Sequence, residues 1–379
     1  MDIKNIACIV GTRPEAIKMA PVIKRFSHSE GFQCKVIATG QHTDMLYQAL
    51  SYFKIKPDVD LKLMKERQTL SYLTSSILEG VGNLLDRERP DMVLVHGDTA
   101  TTFASALSAF YRKIPVGHVE AGLRSGDPYL PFPEEINRIM TDDLSTLFFA
   151  PTPKAGENLI KEGKDPASIF ITGNTVIDSL LWTLGNNSSQ IPECVSTIPK
   201  SCKIILVTVH RRESWGKPLV SICGALRDLL DRYDNLYMVI PMHMNPEVRR
   251  IMREKLYGLD RIILCDPLPY PDFIKIMQMS HLILSDSGGV QEEASALKKP
   301  LLILRDKSER PEAITEGSGI LVGTNRDNII NESLRLIDDG KYYMRITGRV
   351  GNPFGDGRAA ERIEGIIRSF FENVVRPIS

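Results

Sequence analysis

Ten short apolar runs, five in each half of the chain, constrain the fold more than any other feature of this sequence. In the first half they are Ile6–Val10, Lys35–Ala38, Met92–Val95, Val116–Val119 and Leu147–Ala150. In the second half Ile204–Val209, Tyr237–Ile240, Ile262–Cys265, Leu282–Ser285 and Leu301–Leu304 follow the same plan. A strand with one wet face alternates polar and apolar residues, whereas a short unbroken run is buried on both faces. Polar turns and helical patterns separate these runs, and strands joined by helices give parallel, doubly wound α/β sheets.

The halves also echo each other. Asp91-Met92-Val93-Leu94-Val95-His96-Gly97-Asp98 leads into an Ala/Thr-rich helical pattern and then Lys113-Ile114-Pro115-Val116. His281-Leu282-Ile283-Leu284-Ser285 leads into an Ala-rich one and then Lys299-Pro300-Leu301-Leu302. The chain has 379 residues, more than one ordinary core and enough for two domains of ~150–200 residues. The expectation is therefore an α/β protein of two Rossmann-like domains facing a central cleft, residues 1–173 and 174–358. The polar stretch Gly185–Pro192 lies in the hinge region, near residues 173 to 200. Residues 359–379 carry Ile363, Ile366, Ile367 and Phe370 on one helical face, which is expected to pack back on the first domain.

Charge and cysteine usage exclude several classes. Lys plus Arg equals Asp plus Glu at 47 each, so neither nucleic acid nor an anionic membrane is expected as a partner. Six scattered cysteines without a Cys-x-x-Cys pair read as reduced, buried thiols. No apolar stretch reaches spanning length, and Met1–Asn5 runs into the first strand without a signal-like segment, so a cytoplasmic location is expected.

In open α/β sheets ligands bind beyond the C-terminal ends of strands, and those positions are unusually polar here. Ser285-Asp286-Ser287-Gly288-Gly289 turns from an apolar run into a helix. The N–H groups of a helix start lack internal partners, and Ser287, Gly288 and Gly289 would let an anion approach them closely. Taken alone, the same stretch also fits a simple strand-to-helix turn. Gly11-Thr12-Arg13-Pro14 opens another helix, flanked by Arg13 and Lys18. His210, Arg211 and Arg212 follow a strand in the second half, and His210 is a candidate phosphate donor or general acid. Asp98 and Glu120 follow two neighbouring runs, and Glu134 lies in the next loop. Individually each suits a structural role, Asp98 as an N-cap, Glu120 in a salt bridge, Glu134 or Glu135 as a cap. Together they fit proton transfer, because clustered carboxylates raise one another's pKa. The seven histidines lack zinc-ligand spacing and no Gly-x-Gly-x-x-Gly follows a strand, so neither metal nor nicotinamide cofactor is expected.

These residues together resemble the non-hydrolysing bacterial UDP-N-acetylglucosamine 2-epimerases. The resemblance rests on Gly11-Thr12-Arg13-Pro14-Glu15 with Lys18, Gly97-Asp98-Thr99, Val119-Glu120-Ala121-Gly122-Leu123-Arg124 and Pro133-Glu134-Glu135-x-Asn137-Arg138. It continues through Thr208-x-His210-Arg211-Arg212-Glu213, Asp286-Ser287-Gly288-Gly289-x-Gln291-Glu292-Glu293 and Glu309-Arg310-Pro311-Glu312. It implies a GT-B fold and interconversion of UDP-N-acetylglucosamine with UDP-N-acetylmannosamine. The implied route eliminates UDP across C1–C2 to leave 2-acetamidoglucal, then re-adds it. Asp98, Glu120 and Glu134 would exchange protons, while Ser287, Gly288, Gly289, Arg13 and His210 would stabilise the departing diphosphate.

By the same resemblance Glu293 would hold the ribose, Phe273 would stack on uracil, Lys18 and Arg310 would contact phosphate and sugar, and Arg138 would be a further substrate-binding residue. Leu268 stands where the family commonly has glutamine, which bears on uracil selectivity. The resemblance also implies a homodimer and a second UDP-N-acetylglucosamine bound as activator. That second site would involve Gln41, His42, Arg67, Gln68, Arg211 or Arg212, and His243. The product would supply a bacterial surface polysaccharide such as a capsule.

Overall fold

The computed structural model describes residues 3–40, 44–63, 68–186, 191–348 and 351–374. The chain forms two compact units, Met1–Leu181 with Phe354–Ser379, and Trp182–Pro353. In the first unit seven strands form one sheet: β1 (Lys4–Val10), β2 (Phe32–Ala38), β3 (Val59–Asp60), β4 (Met92–His96), β5 (Val116–Val119), β6 (Leu147–Ala150) and β7 (Ile169–Ile171). Helices α1 (Arg13–Ser27), α2 (Asp44–Tyr52), α3 (Leu70–Glu88), α4 (Ala100–Tyr111), α5 (Glu134–Leu144) and α6 (Pro153–Lys161) connect them. The chain leaves this unit within α7 (Thr175–Asn186).

The second unit has β8 (Lys203–Thr208), β9 (Leu236–Pro241), β10 (Ile262–Cys265), β11 (Leu282–Ser285), β12 (Leu301–Ile303) and β13 (Gly319–Leu321). Between and after these strands lie α8 (Lys217–Arg232), α9 (Pro246–Leu256), α10 (Tyr270–Met279), α11 (Gly288–Ala296), α12 (Glu312–Thr315), α13 (Arg326–Asp338) and α14 (Gly340–Thr347). Helix α15 (Ala359–Val374) belongs to the first unit. There Glu364 binds Arg25 of α1 and the Ser29 hydroxyl.

All pairings among these strands are parallel, in the orders β3-β2-β1-β4-β5-β6-β7 and β10-β9-β8-β11-β12-β13. Each order reverses once, between β1 and β4 and between β8 and β11, and crevices form at such reversals because successive connections leave in opposite directions. The central strands are buried on both faces, which is why they read as continuous apolar runs: Val93, Val95, Ile205 and Val207 are each 0% exposed. Of the six cysteines, Cys8 and Cys223 are buried and the other four half-buried, all as free thiols. The expectation of six buried thiols is corrected accordingly. No helix among the described residues is long and apolar enough to cross a membrane.

Local sequence explains how the first crevice is held. Thr12 caps α1, its backbone N–H bonding Glu15 Oε2 at 2.8 Å while its hydroxyl accepts from Glu15 N, a reciprocal capping box. Pro21 lies inside α1 and cannot donate to Ile17 O one turn back. The Ser179 hydroxyl of α7 fills that role, donating to Ile17 O at 2.6 Å.

Candidate functional site

At the β1/β4 reversal two of the carboxylates, Asp98 and Glu120, each meet a cation. Asp98 follows β4, and its Oδ2 is hydrogen-bonded by Arg138 Nη2 from α5, while Asn137 Nδ2 donates to Asp98 O at 2.9 Å. Arg138 is 3% exposed and also binds Glu135 Oε2 at 3.2 Å. Glu135 in turn accepts from Ser125 N and Gly126 N, so it holds the loop leading to α5. Thr99, not Asp98, caps α4. Glu134 opens α5, half-buried and one turn before Asn137 and Arg138.

Glu120, just past β5, is buried with φ of 69°. This left-handed backbone costs a non-glycine residue ~1 kcal/mol or more, so the chain is strained where it presents this carboxylate. Its Oε2 binds Lys18 Nζ and accepts from Asn174 Nδ2 at 2.5 Å. Lys18 is itself 6% exposed, so it compensates Glu120 inside the fold. Glu120 and Asp98 thus each carry their own cation. Arg13 is the first residue of α1. The N–H groups of Gly11 and Thr12 at that helix start are taken by Glu15 Oε2, at 2.6 and 2.8 Å. Burial pushes the Glu15 carboxyl up, against bonds from Thr99, Gly11, Thr12 and Thr102.

A second layer supports the turn that carries Asp98. His118 on β5 is fully buried, its Nε2–H donating to Gly97 O at 2.8 Å and its Nδ1 lying 2.6 Å from Asp142 Oδ1. Burial pushes the Asp142 carboxyl up, but the charges of His118 and Arg124 and their hydrogen bonds win and hold it below its ordinary value. Sequence reasoning missed His118, Asp142, Asn174 and His96 as parts of this site. His96 and His118 stood at strand ends, where the same rule that found Asp98 and Glu120 applies.

In the second unit the β8/β11 reversal is built around two buried carboxylates. Asp286 accepts from His210 N, Arg211 N at 2.9 Å and the Ser214 hydroxyl at 2.8 Å, with His210 Nδ1 3.2 Å away. Thr208 and Ser285, register neighbours on β8 and β11, share a hydroxyl bond of 2.6 Å, and Ser285 Oγ also accepts from Ser287 N. Ser287 is the N-cap of α11 and makes no side-chain cap bond. The first N–H groups of α11, at Gly288 and Gly289, have no acceptor within the helix by its geometry. Burial pushes the His210 imidazole down, outweighing the Asp286 charge, and pushes His243 down likewise; the two rings lie 6.1 Å apart.

Glu309 is the other hub, bound by Arg211 at 3.2 Å, Arg305 at 2.7 Å and Arg310 at 2.8 Å. Arg310 also binds Glu292 of α11 through Nε, which packs its guanidinium under the helix start. A Cβ on Gly288 would come 2.9 Å from Arg310 Cζ, whereas one on Gly289 would meet nothing within 4 Å. Glu293 is buried and accepts from the Tyr270 hydroxyl at 2.9 Å, and Phe273 lies half-buried in the first turn of α10. Gln68 is half-buried just before the N-cap of α3. Gln41, His42 and Arg67, and the side chain of Arg212, lie outside the described residues. Among the described residues no three His, Cys, Asp or Glu side chains gather as a metal site.

The model of the family UDP-N-acetylglucosamine 2-epimerase matches residues 24–368 of this chain. The chain belongs to that family. It is 46% identical over 365 residues to the UDP-N-acetylglucosamine 2-epimerase of Escherichia coli K12, covering 95% of this chain and 97% of that one. Its structure superposes with a TM-score of 0.93 on the Neisseria meningitidis UDP-GlcNAc 2-epimerase solved with UDP-GlcNAc, at 43% identity over 96% of this chain and 100% of that one. A Staphylococcus aureus structure solved with UDP gives the same TM-score at 45% identity, covering 100% of this chain and 99% of that one. The two parallel-sheet α/β units are the GT-B architecture of these epimerases. Arg305, Glu309 and Asp286 form the frame around the Ser287-Gly288-Gly289 turn, and of these only Arg305, just past β12, was open to the strand-end rule and passed over.

Proposed function

We propose that this chain is a non-hydrolysing UDP-N-acetylglucosamine 2-epimerase, interconverting UDP-N-acetylglucosamine and UDP-N-acetylmannosamine. The carrying observation is the pair of charge-compensated carboxylates at the β1/β4 reversal, Glu120 with Lys18 and Asp98 with Arg138. An inverting exchange at C2 needs groups that take a proton on one face and give one on the other. A glycosyltransferase sharing the same nucleotide seat needs no such pair. The C2–H of a pyranose is not next to a carbonyl, so direct removal of that proton is slow.

The proposed route removes the C2 proton to a carboxylate, forms the C1–C2 double bond and breaks the C1–O bond, whose electron pair leaves with UDP. The 2-acetamidoglucal then takes a proton at C2 on the opposite face while a β-phosphate oxygen re-forms the bond to C1. Asp98, Glu120 and Glu134 are the proton-exchanging set, with acid and base not assigned individually. The α11 start, His210, Arg13 and Arg310 stabilise the diphosphate as its charge grows. Glu293 and Phe273 serve the ribose and uracil, and Lys18 and Arg138 the phosphate and sugar. Pairing of Arg310 with Glu292 and Glu309 fixes its guanidinium before any ligand arrives, which lowers the ordering cost on binding.

The reading extends to a homodimer, to activation by a second UDP-N-acetylglucosamine through Gln68, Arg211, His243, Gln41, His42 and Arg67, and to supply of N-acetylmannosamine for a surface polysaccharide. Activation predicts that UDP-N-acetylmannosamine alone turns over with a lag that added UDP-N-acetylglucosamine abolishes. The main test is incubation of UDP-N-acetylglucosamine with the protein in heavy water, followed by NMR. Deuterium at C2 with UDP still attached is expected, and Asp98→Asn and Glu120→Gln should stop the exchange while still binding UDP. Unchanged substrate, or free sugar plus UDP, rejects the proposal.

A further inference from the structure

His96 closes β4 and is 4% exposed, yet neither ring nitrogen has a hydrogen-bond partner among the described residues. An unmet buried donor or acceptor costs ~1–3 kcal/mol, so a ring that only filled space here would be better replaced by leucine. Glu120 lies beside it: Nε2 is 3.8 Å from Oε2, the same oxygen that Lys18 and Asn174 address. Donors from α1 and from the residue before α7 thus bind one carboxylate oxygen, and the ring at the end of β4 stands 3.8 Å from it. The other oxygen, Oε1, lies beside the Gly97–Asp98 turn, 3.8 Å from where a Cβ on Gly97 would sit.

The groups facing the His96 ring are Glu120, Lys18, Asp98 and His118. Burial pushes its pKa down to about 4, with Lys18 and His118 acting the same way against Glu120 and Asp98. The ring is therefore neutral near pH 7 and serves as an N–H donor rather than as a second cation. Hydrogen bonds of catalytic groups are commonly long in the free enzyme and shorten once substrate is bound.

We propose that His96 is a positioning residue for Glu120, its Nε2–H closing on Oε2 when substrate binds so that Oε1 exchanges the proton at C2. With Lys18 and Asn174 it completes three donors on one oxygen, which orients the carboxylate and favours its ionised form. This rests on Glu120 being a proton-exchanging group, as read above.

The test compares His96→Gln, whose amide reaches the Nε2 position, with His96→Asn, whose amide reaches only the Nδ1 position, and with His96→Leu. UDP binding by calorimetry serves as the check on folding. His96→Leu and His96→Asn are expected to lower kcat ~10–100-fold with KM within about twofold, and to move the acid limb of the kcat profile to higher pH. His96→Gln should recover most of kcat and return the limb toward the wild type. Equal kcat in all three variants, an unmoved acid limb, a change confined to KM, or loss of UDP binding in the glutamine variant each overturns the proposal. A wild-type protein that neither epimerises nor exchanges at C2 instead overturns the reading of the site, whatever His96 does.

Discussion

Adjacent alanine substitutions at Gly288 and Gly289 should move stability in opposite directions. Both residues lie in the first turn of α11 without positive φ, so the backbone accepts alanine at either. At Gly288 the new Cβ would lie 2.9 Å from Arg310 Cζ and 3.2 Å from Glu309 Oε1. Neither can give way easily, because Arg310 is 5% exposed and tied to Glu292 and Glu309, and Glu309 is tied to Arg305 and Arg211. Overpacking against a fixed neighbour costs ~1–3 kcal/mol, or ~2–12 °C in Tm for a domain of ~150–250 residues. At Gly289 the methyl meets nothing within 4 Å and restricts only the unfolded chain, a gain of ~0.4–1 kcal/mol. The same methyl stands where a diphosphate would approach the helix start, so UDP affinity should fall at least ~10-fold, about 1.4 kcal/mol. Thermal unfolding and calorimetry with UDP read both effects. A Gly288→Ala protein as stable as the wild type refutes the packing argument, and Gly289→Ala with undiminished UDP affinity refutes the seat.

Three further outcomes follow from charge. Arg138→Met leaves the Asp98 and Glu135 carboxylates without their cation and should destabilise the protein by ~3–5 kcal/mol, and Arg138→Lys should not restore activity because one ammonium cannot span both partners; a fully active lysine variant contradicts this. Burial raises the Asp178 carboxyl to about 6, against bonds from Ala360 N and Ala359 N at the start of α15. Its folded pKa exceeds its unfolded one, so its contribution is complete below about pH 4 and is lost as pH rises through 6. Relative to Asp178→Asn, the wild type should lose up to ~3 kcal/mol over that window, and parallel stability curves would refute it. Burial lowers the pKa of His210 and of His243 in the free protein, so binding UDP-N-acetylglucosamine, a diphosphate, to the Glu120→Gln variant near pH 6.5 should take up protons; binding heats independent of buffer ionisation enthalpy would contradict that.

The sequence revealed the central strands and the half-buried edge strand β10, and concealed three short edge strands for one physical reason. Strands such as β4 and β11 are buried on both faces and read as unbroken apolar runs, whereas β3, β7 and β13 at sheet edges are short and partly exposed, so their apolar signal dissolves into the loops. At the site, the strand-end rule reached Asp98, Glu120, His210 and Ser287 because position along a strand is written in the sequence. Their partners arrive from elsewhere in the fold: Asn174 lies 54 residues from Glu120, and Glu309 lies 98 residues from Arg211. Such pairings depend on how helices pack. The Thr12–Glu15 capping box follows the Thr-x-x-Glu pattern but was passed over, and it shows that the Gly11 and Thr12 N–H groups at the start of α1 are satisfied locally by Glu15.

In the proposed route UDP leaves C1 and returns. The most direct measurement starts from UDP-N-acetylglucosamine carrying oxygen-18 in the bridge between C1 and the β-phosphorus. If the bond breaks, the freed β-phosphate can rotate before it re-adds, and phosphorus NMR should find the label moving into non-bridging positions on the time scale of epimerisation. Complete conversion to the C2 epimer with the label still wholly in the bridge would rule out elimination and return of UDP.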